Sequence, residues 1–88
     1  MNIKYLSEWE NDLIWCPSQL TRKFKDPNTG KVLELYCRWR YCDPWSFSII
    51  SSTEWIDLGF ALTEYTPIPE VHAYAENLLL SYYKGEKQ

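Results

Sequence analysis

The sequence predicts an α+β domain: a three- or four-stranded antiparallel sheet of β-meander topology, a C-terminal helix packed on one face, and a short helix at the N-terminus. Three observations carry this expectation. Apolar and polar residues alternate along 31–41 and again along 45–50, the period of a strand with one buried face. Turn formers, Asp26-Pro27-Asn28-Thr29-Gly30 and Asp43-Pro44, separate the runs at hairpin distances. Beyond Thr66-Pro67-Ile68-Pro69 the apolar spacing lengthens to the helical period.

Taken in order, Ser7 and Glu10 have the spacing of a capping box, and Trp9, Leu13 and Ile14 would share one face of a helix over 8–15 that Pro17 ends. Residues 19–25 and 31–41 form a hairpin around the Asp26–Gly30 turn. In its second strand Leu33, Leu35, Cys37, Trp39 and Tyr41 face the core, and Val32, Glu34, Tyr36, Arg38 and Arg40 face outward. Trp45, Phe47 and Ile49 alternate with Ser46, Ser48 and Ile50 in a third strand. Ser51-Ser52-Thr53 then turns the chain into a short fourth strand over 54–58, ended by Gly59. The last element is a helix over 69–84. Pro69 suits its first position, Glu70 and Lys84 complement its dipole, and Gly85 provides a left-handed cap. Val71, Tyr74 or Ala75, Leu78, Leu79 and Tyr82 form its core stripe, with Leu78 as the residue whose truncation unfolds the protein.

With 88 residues the chain has room for one domain, because smaller pieces could not bury a useful core. Its 45% hydrophobic content excludes a disordered chain, and its net charge of -3 argues against coating nucleic acid through bulk electrostatics. No apolar run approaches the length of a membrane span, and Met1 to Leu6 do not read as an export signal. Cys16, Cys37 and Cys42, an odd number without a C-x-x-C pair, suit a reducing compartment. The expected location is the cytoplasm, with no membrane association.

Aromatic residues are in surplus. Five Trp, seven Tyr and three Phe exceed what one sheet face and one helix can cover, so some are expected on the surface, where clustered rings mark contact sites. Charge is also uneven, at -2 over residues 1–17, +4 over 18–41, -5 over 42–70 and zero thereafter. The hairpin holds Arg22, Lys23, Lys25, Lys31, Arg38 and Arg40 among Phe24, Tyr36 and Trp39, a mixture suited in kind to single-stranded nucleic acid. A solvated strand face that guards an edge calls for the same residues.

Signals for catalysis are sparse. His72, the one histidine, has Glu76 one helical turn on as a candidate orienting carboxylate. Cys37 and Cys42 lack a neighbouring histidine to form a thiolate, and the three cysteines with His72 match no common zinc spacing. Asp43 with Asp57 or Glu54 pairs carboxylates without an evident sugar-sized cleft. Asp43-Pro44-Trp45 places a large ring at a rigid corner between the two best strands.

The expected function is therefore a non-catalytic protein–protein interaction module: an adaptor, assembly factor, immunity protein or inhibitor that docks on a larger protein. It needs no cofactor and no metal. The expected contact residues are Tyr36, Arg38 and Arg40 on the outer sheet face, Trp45 at the strand corner, and Leu80 and Tyr83 on the helix rim, with a homodimer through either surface as a subsidiary expectation. The alternative is single-stranded nucleic-acid binding by the basic aromatic hairpin 18–41.

Overall fold

The computed structural model describes residues 3–13, 18–40 and 44–85. Six strands, β1 (Lys4–Tyr5), β2 (Glu10–Asp12), β3 (Ser18–Lys25), β4 (Val32–Trp39), β5 (Trp45–Ile50) and β6 (Trp55–Ala61), precede one helix, α1 (Ile68–Gly85). The strands form a single antiparallel sheet in the order β1-β3-β4-β5-β6, with β2 also paired to β3. The fold is thus the expected α+β meander with a C-terminal helix. It has six strands rather than three or four, and strands β1 and β2 replace the N-terminal helix.

The change at the N-terminus has a local cause. A helix of eight residues is marginal by itself, whereas the outer edge of β3 offers a row of backbone partners. Ser7 therefore does not cap a helix: its Oγ accepts the Lys23 N–H at 3.0 Å, while its carbonyl accepts Arg22 Nε–H at 2.9 Å. Ile14 and Trp15, the end of the expected helix, lie outside the described residues.

Register divides the strand residues between two faces, because residues directly opposite in an antiparallel pair share a face. Leu20, Cys37 and Phe47 form one row, and Leu35 and Ile49 lie in the next. Together with Phe24, Leu33 and Trp45 they meet Val71, Ala75, Leu79 and Tyr83 of α1, all buried. These helix positions recur every four residues and form one stripe, inclined to the axis, that lies over β4 in mid-sheet. Phe24 meets Tyr83 edge-on at 6.3 Å, and Phe47 meets Tyr74 at 5.2 Å.

Two expectations for the helix are corrected. The stripe runs one position later at its C-terminal end, so Leu79 and Tyr83 are buried while Leu78 and Tyr82 pack only partly against the core. Gly85 also has no positive φ and belongs to the helix.

The fourth strand runs on to Ala61. Its partners shift between Ser48↔Asp57 and Phe47↔Gly59, so Leu58 is an extra residue, a β-bulge. Gly59 does not end the strand; with φ of 104° it supplies the left-handed conformation inside the bulge, and Asp57 Oδ1 accepts its N–H at 2.8 Å.

Leu79→Ala is expected to destabilise the protein by about 2–5 kcal/mol, because it leaves a cavity in a fully buried layer, and Leu78→Ala by clearly less. Urea denaturation of both variants checks the order.

Candidate functional site

Two groupings stand out, one on each face. On the helix face Arg22 sits between Leu20 and Phe24 on β3 and points toward α1 instead of water. Its guanidinium bonds Glu76 Oε2 at 2.7 Å and lies 3.9 Å from the centre of the Tyr5 ring. Trp9 Nε1–H donates to the same Glu76 oxygen at 2.8 Å, and the Trp9 ring stacks on His72 at 4.3 Å. His72 Nε2 completes the group with a 2.9 Å bond to Asn11 Oδ1. The arrangement binds the short strands β1 and β2 to the helix.

Glu76 is engaged by Arg22 and Trp9, so it does not orient His72, whose polar partner is Asn11. Desolvation holds the imidazole below its ordinary pKa, opposed by Glu76 and assisted by Arg22. Burial, with Glu76 nearby, pushes the Tyr5 hydroxyl up to about 12. Cys37 is fully buried, and burial pushes its thiol well above the ordinary range, which disfavours a nucleophilic thiolate. Among the described residues no three His, Cys, Asp or Glu side chains gather as metal ligands would. Cys16, Cys42 and Asp43 lie outside the described residues.

Among the described residues no helix covers the outer face. Its residues form rows: Gln19, Arg38, Ser46 and Phe60, then Thr21, Tyr36, Ser48 and Asp57, then Lys23, Glu34, Ile50 and Trp55. The small serines of β5 lie between larger side chains on β4 and β6, which makes a trough along β5. Its walls are two strand spacings apart, about 9.5 Å. Arg38, Arg40, Pro44, Ser46, Ser48, Trp55, Asp57 and Phe60 line a cleft of about 280 Å³ here. Tyr36 and Trp55 meet edge-on at 5.6 Å across β5 at one end of the cleft. Trp55 and Phe60 are 62% and 66% exposed.

The expected contact residues are dispersed by this arrangement. Tyr36, Arg38 and Arg40 do lie together at the outer face, although Tyr36 is itself buried, with Trp55 edge-on against its ring. Trp45 and Tyr83 are instead core residues, both 3% exposed, because strand alternation turns Trp45 toward α1 and the helical stripe includes Tyr83. Leu80 is half-buried beside that stripe. The basic hairpin is divided in the same way: Phe24 and Trp39 pack with the core and Arg22 pairs with Glu76, so among its described residues Tyr36 is the ring on the outer face, while Tyr41 lies outside the described residues.

Sequence reasoning missed Trp55 and Phe60 as a pair, because the bulge between them changes the parity of the strand. Compared with family models, with curated proteins and with solved structures, the chain finds no match. Among the described residues no helix is long and apolar enough to cross a membrane.

Replacing Arg22 by Met takes the ion-pair partner from the half-buried Glu76 carboxylate, which keeps the Trp9 donor, and is expected to cost about 2 kcal/mol, read by urea denaturation. Stability is also expected to fall as pH drops below about 6.5, the ordinary histidine pKa. There the unfolded chain takes up the His72 proton before the folded one does, and His72→Gln should flatten that part of the profile.

Proposed function

We propose that the protein is a non-catalytic docking module that engages a larger protein through the open face of its sheet. The observation that carries this reading is the placement of Trp55 and Phe60. Both rings remain mostly in water on the sheet face that no helix of the described residues covers, although the chain buries rings as large as Trp45 and Phe47 elsewhere. Exposed aromatic side chains grouped around a cleft with polar walls are the composition of binding hot spots. Arg38 and Arg40 add direction, since neither guanidinium has a carboxylate partner among the described residues.

The same rings and guanidinium groups keep single-stranded nucleic acid as a second reading. Charge on the face argues for protein first. Glu10, Asp12, Glu34 and Asp57 share it with the basic residues, so a polyphosphate strand finds no continuous cationic track.

Trp55→Ser and Phe60→Ser test the reading. Both residues are exposed, so the urea midpoint of Phe60→Ser should lie within about 0.5 kcal/mol of the parent in stability. Affinity capture from the native cell extract is expected to retain a protein partner with the parent and lose it with either variant. Equal retention by the variants, or retention of nucleic acid alone, would refute the proposal. A light-scattering mass of twice the chain, lost in the same variants, would identify a second copy as the partner.

A further inference from the structure

We infer that the cleft over β5 takes an extended acidic peptide segment, with carboxylates on the Arg38 and Arg40 side and an apolar side chain against Phe60. This rests on the docking reading above and specifies the partner's chemistry.

The size of the cleft limits its occupant. About 280 Å³ lies at the small end of ligand sites, enough for one or two side chains of a larger molecule. The Tyr36–Trp55 contact lies across one end, so a segment lies along the Arg38, Ser46 and Phe60 stretch of the trough.

Wall chemistry then sets the pattern. Arg38 and Arg40 are two residues apart, and both line the cleft. In an extended peptide, side chains at i and i+2 point the same way and repeat over about 6.6 Å, which matches that spacing. The intervening side chain points to the opposite wall, where Phe60 stands beside Ser46 in the row of Arg38.

The donors await an acceptor. No ion pair involves Arg38 or Arg40 among the described residues, and Arg38 Nε–H is withdrawn from solvent with no hydrogen-bond acceptor. Each guanidinium presents a fork of donors that fits a carboxylate in bidentate fashion. On the other wall Asp57 already holds the Gly59 N–H through Oδ1, and its charge disfavours a chain of phosphates beside Phe60. An alternating acidic and apolar segment satisfies both walls.

The probe is a displayed library of random peptides selected on the parent protein. Retained peptides are then measured by fluorescence anisotropy against the parent, Phe60→Ser and the double variant Arg38→Gln/Arg40→Gln, each checked for folding by circular dichroism. The expected result is enrichment of sequences with acidic residues at alternate positions. Their affinity should fall about tenfold or more in the double variant, and also in Phe60→Ser. Enriched peptides without acidic residues, or acidic peptides indifferent to loss of both arginines, would overturn the inference. Tighter binding of an oligothymidylate than of any selected peptide at the same salt would overturn it in favour of nucleic acid. No enrichment, while native partner capture still depends on Trp55, would sink the acidic segment and leave the docking reading intact. No enrichment together with capture indifferent to Trp55 and Phe60 would remove both.

Discussion

A sheet has two faces, and the described residues supply one helix with which to cover them. That constraint decides the rest of the molecule. The large apolar side chains that alternate inward from β3, β4 and β5 are covered mainly by α1, through the buried stripe Val71, Ala75, Leu79 and Tyr83 with Tyr74, Leu78 and Tyr82 packed beside it. The opposite face remains in contact with water, and its composition reflects this: serines, threonine, charged groups, and a few rings at the side of β6. Core packing and solvent exposure are thereby assigned to different sides of the same strands, so a strand residue contributes mainly to one or the other.

The covered face is not wholly apolar. Arg22 occupies a position that alternation would give to a hydrophobic residue, and its charge is met by Glu76 from the helix and by the Tyr5 ring. Such a pair gains little over an apolar packing of similar shape, because both ions give up water to form it. Its effect here is positional. Trp9, Ser7 and Tyr5 all contact the pair, so β1 and β2, too short to hold themselves by backbone bonds alone, acquire a fixed relation to the helix.

Much of the architecture was legible in the sequence, for a physical reason. β4 and β5 differ sharply between their two faces, so the period of two is visible in the residue order, and the proline-flanked start of α1 is equally clear. β1 and β2 span two and three residues and carry no period; they exist because β3 has an edge to fill. The partnership of Arg22 with Glu76 joins residues 54 apart, so nothing local announces it. At the candidate site, Arg38 and Arg40 followed from alternation along β4. Trp45 and Tyr83 were misplaced because a ring at a corner or a helix rim gives no sign of the direction in which the tertiary contacts draw it. Trp55 and Phe60 lie five residues apart, a spacing that in an unbroken strand would put them on opposite faces.

That last spacing shows what the bulge at Leu58 accomplishes. The inserted residue restores the Phe60 ring to the side occupied by Trp55, directly in line with Arg38 across β5. Composition alone does not set the character of the open face; chain length between two points does. A deletion or insertion of a single codon there would exchange what the strand's last residues show to solvent for what they hide, so the surface would change its chemistry through geometry while nearly every amino acid remained the same.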